Sequence, residues 1–274
     1  MRRSPLTLTA AASTAGLLLA GCDSPSTTTA TTATTAYSTP SSAPVLSSAP
    51  VTGTVNVFAA ASLREAFTKL GQQFGAAHRG TNVVFNFGPS SGLATQITQG
   101  APADVFASAS TRNMDRVVKA GGASSPKNFA SNVMEIAVPP KNPADVTQLS
   151  DLAKSGVKVA LCQVAVPCGA TAAEVFTNAR LTVTPVTEEV DVKAVLTKVT
   201  LGEVDAGVVY VTDVRAAGAK VRGIEIPKGV NASTEYPIAV LTRAPNKATA
   251  QEFTDYVLTA AGAAILTAAG FAKP

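Results

Sequence analysis

Val55-Asn56-Val57-Phe58-Ala59-Ala60-Ala61-Ser62-Leu63-Arg64-Glu65 passes from a short apolar run into a helix start without a linker. Residues 55–59 have the length and apolarity of a buried strand. Ser62 with Glu65 three positions on predicts a capping box. Leu63, Ala66, Phe67, Leu70 and Phe74 then recur at helical spacing. Strand, corner and helix follow again: Val83–Phe87, then Gly88-Pro89-Ser90-Ser91-Gly92, then Leu93–Gln99, with a further strand at Asp104–Ala109. Strands are also expected at 135–138, 158–161, 206–211 and 237–241, and helices near 148–154, 171–179, 190–201 and 249–268. This alternation predicts a mostly parallel α/β architecture. The Gly100…Asp104 corner returns as Gly202…Asp205 ahead of Ala206-Gly207-Val208-Val209-Tyr210. Two similar α/β lobes would produce that echo, and so would a chance likeness between two helix-to-strand corners.

Composition narrows the function. Of 274 residues only 15% are charged, against about 25% in an average soluble domain. The net charge of +4 includes Arg2 and Arg3 at the extreme N-terminus, and no Lys/Arg stripe forms a nucleic-acid surface. The single histidine, His78, has no partner for a His metal cluster and makes a His-dependent triad a poor fit. Beside Arg79-Gly80 it reads as a solvated loop residue. Gly88–Gly92 lacks the lysine of a P-loop, and Ser90, though spaced as Gly-x-Ser-x-Gly, is not read as a nucleophile elbow, since no base is suitably placed.

Residues 1–21 read as a lipoprotein signal peptide. Arg2 and Arg3 supply its basic start, and Leu6–Ala20 is too short and too polar for a comfortable span. Leu19-Ala20-Gly21-Cys22 resembles the bacterial lipobox, so Cys22 is expected to be lipidated; an ordinary signal peptide with an incidental cysteine is the alternative. More than one acyl chain on Cys22 gives stable anchoring, which places the mature protein on the outer face of the cytoplasmic membrane. Residues 22–53 read as a disordered tether: 25 of the 31 residues after Cys22 are Ser, Thr, Pro or Ala, with too little apolar surface to offset ordering.

Ser62 and Ser90 each stand at a strand-to-helix corner. In an open α/β sheet, ligands sit at the carboxyl ends of strands, where helix N-termini offer free amides. Spacing leaves two roles open for both serines: N-caps worth about 1 kcal/mol each, or uncharged donors to an anion.

Val57–Leu63, Ser90-Ser91-Gly92-Leu93-Ala94, Gly100-Ala101-Pro102-Ala103-Asp104-Val105-Phe106, Val166-Pro167-Cys168-Gly169, Gly207–Asp213, Tyr236–Val240 and Gly270-Phe271 together resemble the molybdate-binding proteins of bacterial molybdate ABC transporters. The resemblance spans essentially all of 54–274. It implies a type II periplasmic-binding-protein fold: two α/β lobes, 54–134 plus 236–274 and 135–235, joined by a hinge of crossing strands. It also implies a ligand set. Ser62 and Ser90 would offer hydroxyl and amide groups, Cys168 and Val192 their backbone amides, and Tyr210 its phenol. The ligand would be molybdate or tungstate, and the partner an ABC permease. The protein would be a monomeric binding protein, with no enzymatic activity, no cofactor and no cationic metal. Pro89, where a small polar residue is usual, and Cys168, where Ala or another small residue is usual, depart from the family pattern; around Val192 the match is loose.

The chemistry agrees. Molybdate and tungstate are fully deprotonated dianions at neutral pH, and a donor-only site suits them, whereas protonated phosphate also needs an acceptor. A binding protein for another tetrahedral oxyanion, such as sulfate or thiosulfate, is the alternative within the fold. A serine-dependent extracytoplasmic hydrolase acting through Ser62 or Ser90 is the alternative outside it, though no base is suitably placed. An interaction module with a degenerate site is a third, which intact Ser62, Ser90 and Tyr210 oppose. With Cys22 acylated, Cys162 and Cys168 remain as an even pair in an oxidising compartment, with a separation a disulfide can close; two buried free thiols are the alternative.

Overall fold

A computed structural model describes residues 51–274. Residues 1–50 lie outside the described part, and with them the expected signal peptide, Cys22 and most of the expected tether. The chain runs through β1 (Gly53–Ala60), a 3-10 turn (Ala61–Leu63), α1 (Arg64–Ala77), β2 (Thr81–Gly88), α2 (Ser90–Thr98), β3 (Val105–Ala107) and α3 (Thr111–Lys119). It continues with β4 (Lys127–Val138), a 3-10 turn (Leu149–Ala153), β5 (Val159–Cys162), α4 (Pro167–Asn178), β6 (Thr187–Glu189), α5 (Val192–Thr200), β7 (Ala206–Tyr210) and α6 (Val211–Ala217). β8 (Arg222–Glu225), β9 (Ser233–Val240), α7 (Lys247–Leu258) and α8 (Ala260–Ala269) complete it.

One unit occurs twice. β1 lies between β2 and β3, parallel to both; β5 lies between β6 and β7, parallel to both. Each unit is therefore βαβαβ with its first strand in the middle, and its helices start where its strands end. The echo noticed in the sequence has a physical basis. Asp104 N–H donates to Asn56 O at 2.8 Å, and its carboxylate accepts Asn56 N–H at 2.8 Å. Asp205 does the same with Lys158, at 2.8 Å each way. In both units a carboxylate just ahead of the third strand takes a backbone amide in or next to the first strand. Gly100 and Gly202, both at positive φ, end the preceding helices.

β4 joins the two units. Its first part, Lys127–Val133, runs antiparallel to β9, with an irregularity between Asn128 and Ala130. From Met134 it runs antiparallel to β7, and from Glu135 to β8. The strand order is β2-β1-β3-β9-β4-β7-β5-β6, with β8 beside β4. The sheet is thus mixed, not mostly parallel as the alternation suggests. Around the first unit the core holds Val55, Val57, Phe67, Leu70, Phe74 and Phe253; around the second it holds Ile136, Val159, Val195, Val199 and Val208.

The expected helix at 249–268 is two helices. Thr259 is extended (ψ 166°), and its hydroxyl accepts Gly262 N–H at 3.1 Å, capping α8. Residues 149–153 form a 3-10 turn rather than an α-helix. β1 begins at Gly53, whose N–H donates to Gly80 O at 2.8 Å, inside the span expected to be tether. The sequence reading misses α3, β6, α6, β8 and the first half of β4. β6 is Thr-Glu-Glu, and β4 opens with Asn128, Ser131 and Asn132, so neither shows an apolar pattern. α6 follows β7 with no intervening residue.

Gly207 lets α5 lie on β7: a Cβ there would stand 2.6 Å from Val195 Cγ1 and 3.0 Å from Val199 Cγ2. Gly207→Ala should therefore cost about 1–3 kcal/mol in urea unfolding; an unchanged midpoint would show that α5 moves aside freely.

Candidate functional site

Four helix starts meet at one cavity. It is lined by Ala60, Ala61 and Ser62 ahead of α1, Pro89 and Ser90 at α2, Val166, Pro167 and Cys168 at α4, and Asp191 and Val192 at α5, with Tyr210 closing the set. All five residues expected as ligands are brought together, and none is more than 4% exposed. The cavity measures about 20 Å³. One water needs about 10–15 Å³ and organic ligands about 300–1,000 Å³, so a single small ion is what fits.

The amides in a helix's first turn have no intrahelical acceptor. The 3-10 turn into α1, α2 and α4 all begin without a side-chain cap. At α5, Asp191 Oδ1 accepts Lys193 and Ala194 N–H at 2.9 and 3.0 Å and not that of Val192, which lines the cavity. Partial positive charge is thus collected from backbone dipoles.

Neither serine is an N-cap, and the capping box expected from Ser62 and Glu65 does not form. Ser62 lies inside the 3-10 turn, and its hydroxyl is 2.9 Å from Tyr236 Oη. Ser90 is the first residue of α2, after Pro89 at φ −63°, ψ 131°, and its Oγ accepts Ala109 N–H at 2.9 Å. Pro89 fits because that position uses no N–H and its ring sets the required φ. Cys168 fits because its side chain turns away to form a disulfide with Cys162, Cα–Cα 5.8 Å. Gly169 beside it is required by the close approach to β5: a Cβ there would clash with the Gln163 and Cys162 carbonyls.

Tyr210 is buried, and its hydroxyl has no hydrogen-bond partner. The nearby Thr171 hydroxyl donates instead to Pro167 O at 3.0 Å. An unpartnered buried donor at a cavity costs about 1–3 kcal/mol unless a ligand accepts from it.

Glu65 reaches across to α5. Lys193 Nζ lies 2.7 Å from Glu65 and 2.9 Å from Asp213, joining the first βαβαβ unit to the second beside Val192. Burial pushes the Asp213 carboxyl up against the opposing pull of Lys193. Burial alone would depress Lys193, but Asp213 and Glu65 outweigh it and hold the ammonium above its ordinary range. The sequence reading misses Tyr236, Ala109 and this ion-pair group. Tyr236 is 174 positions from Ser62, and only the fold brings them together. Among the described residues no group of His, Cys, Asp or Glu could hold a metal ion, and no helix is long and apolar enough to cross a membrane. His78 is remote from the cavity lining, stacked on Phe74 at 4.2 Å and 3.5 Å from Glu252.

Residues 55–272 match the family model described as bacterial extracellular solute-binding protein. The chain is 46% identical over 222 residues to the molybdate-binding protein ModA of Mycobacterium tuberculosis, covering 81% of this chain and 85% of that one. The periplasmic molybdate-binding protein of Azotobacter vinelandii has the same fold, with TM-score 0.72, 23% identity and coverage of 80% of this chain and 99% of that one. So does the sulfate-binding protein SubI of Mycobacterium tuberculosis, with TM-score 0.69, 18% identity and coverage of 80% and 86%.

Burial also raises the Tyr210 phenol well above its ordinary value. The folded chain then keeps this proton at pH values where the unfolded chain, near 10, has lost it. Stability is complete below that value and falls as pH rises through it, by up to about 1.4 kcal/mol per pH unit for this group. Urea unfolding between pH 9 and 11 should show a shallower fall in Tyr210→Phe; an identical slope would show that Tyr210 does not titrate this way.

Proposed function

The chain belongs to the bacterial extracellular solute-binding proteins, in the family of its molybdate-binding relatives, and from that premise we propose that the buried cavity takes molybdate, and tungstate with it. Such proteins bind solutes for transport, and the chain is not an enzyme. The observation that carries the ligand reading is the lining itself: uncapped helix starts, two serine hydroxyls and an unpartnered phenol around a space for one small ion. Ser62, Ser90 and Tyr210 donate through hydroxyls, and Cys168 and Val192 through amides. A deprotonated tetrahedral dianion accepts at every oxygen and needs no acceptor in return.

The remaining parts follow from that role. Lobes 54–134 plus 236–274 and 135–235 close on the ion, shifting the population toward the closed state, and the loaded monomer delivers it to an ABC permease. Cys22 carries the lipid anchor, the residues between it and β1 the tether, and the Cys162–Cys168 disulfide persists in the mature protein outside the cytoplasm. The fold is shared with a sulfate-binding protein, so cavity size has to exclude the smaller sulfate. A hydrolase reading finds no histidine at the serines: His78 is engaged at Phe74 and Glu252.

Calorimetric titration of the chain should give tight binding of molybdate and tungstate and little heat from sulfate or phosphate. Strong sulfate binding with silence from molybdate would overturn the assignment. Ser62→Ala and Ser90→Ala should each weaken molybdate binding by roughly 1–3 kcal/mol; unchanged affinity in both would place the site elsewhere. In cell fractionation Cys22→Ala should move the protein from the membrane to the soluble fraction, and continued membrane association would exclude Cys22 as the anchor.

A further inference from the structure

A serine hydroxyl has one proton to give and can also accept, so a serine at an anion site is a donor only if something else fills its oxygen. Ser90 meets that condition through the backbone: Ala109 N–H donates to its Oγ at 2.9 Å, and an amide cannot reverse. Its own proton is left for the cavity. Ser62 has no such amide. Its oxygen lies 2.9 Å from Tyr236 Oη, and this contact can run in either direction.

The surroundings of Tyr236 set the direction. Tyr236 is wholly buried, and burial raises its phenol so that it stays protonated. Among the described residues its hydroxyl has one hydrogen-bond partner, the Ser62 oxygen. A buried phenol proton left without an acceptor is costly, whereas Ser62 lines the cavity and has a second direction open to it. The Tyr236 proton therefore goes to Ser62 and the Ser62 proton to the cavity.

We propose that Tyr236 is the positioning residue that makes Ser62 a donor only, and that it thereby removes one acceptor that a protonated oxyanion could use. The proposal rests on the molybdate reading. Without the phenol, Ser62 is free to turn and to accept the proton of a hydrogen phosphate ion. Tyr236 is absent from the cavity lining, so it acts through Ser62 and does not touch the ligand.

The test compares molybdate with hydrogen phosphate at pH 8, where both are dianions and only phosphate carries a proton. Tyr236→Phe should weaken molybdate binding about tenfold while phosphate binding holds or tightens, so that the ratio of the two affinities falls by more than molybdate affinity does. Ser62→Ala should weaken both. A purely structural role for Tyr236 would lower both affinities alike and leave the ratio intact, and that result would overturn the proposal. If Tyr236→Phe does not fold, proton NMR of the unmodified chain decides. A Tyr236 hydroxyl resonance in slow exchange that survives molybdate addition, with a contact to the Ser62 methylene, supports the donor role; a hydroxyl exchanging as fast as that of free tyrosine overturns it. An unmodified chain that does not bind molybdate would overturn the underlying reading, and this role with it. A chain that binds it, with the ratio unchanged in Tyr236→Phe, would overturn the role of Tyr236 alone.

Discussion

Backbone amides at helix starts must find acceptors, and the arrangement around the cavity follows from leaving several of them without one. α1, α2, α4 and α5 begin at the carboxyl ends of strands in two βαβαβ units of the same topology. Each unit points two helix starts at the same small space. Side-chain caps would satisfy those amides and remove the donors, and three of the four starts lack one. The exception, Asp191, caps two amides of α5 and spares that of Val192, a lining residue.

Much of this was legible in the sequence because it is local. Apolar runs followed at once by helix-forming residues mark the strand-to-helix corners, and the five cavity residues all sit at such corners or at a strand end. The helical spacing of Leu63, Ala66, Phe67, Leu70 and Phe74 is matched by burial of every one of them. What local pattern could not show is who fills each hydroxyl. Ser62 followed by Glu65 has the form of a capping box, yet Ser62 turns to Tyr236 and Glu65 to Lys193. Both partners lie far along the chain, and a tertiary hydrogen bond in a buried setting displaced the local one. β4 was cut short for a related reason. Its polar first half is held by pairing with β9, which an alternation rule cannot see.

The crossing region ties the halves to the site. β4 changes partners after Val133, next to Asn132, and Asn132 bonds Thr212 on α6. Tyr236 on β9 and Tyr210 on β7 meet edge to face with ring centroids 6.4 Å apart. The second of these rings lines the cavity and the first holds Ser62, so the two strands flanking β4 also orient two of the donors.

Lys193, the cation beside Val192, is already claimed by Glu65 and Asp213. Asp191 adds a further carboxylate at the lining. The lining itself therefore offers an entering anion no positive side chain. The amides and hydroxyls that hold it act at contact distance, well inside the roughly 10 Å over which salt at 0.1 M screens charges, so those contacts are weakened little by added salt.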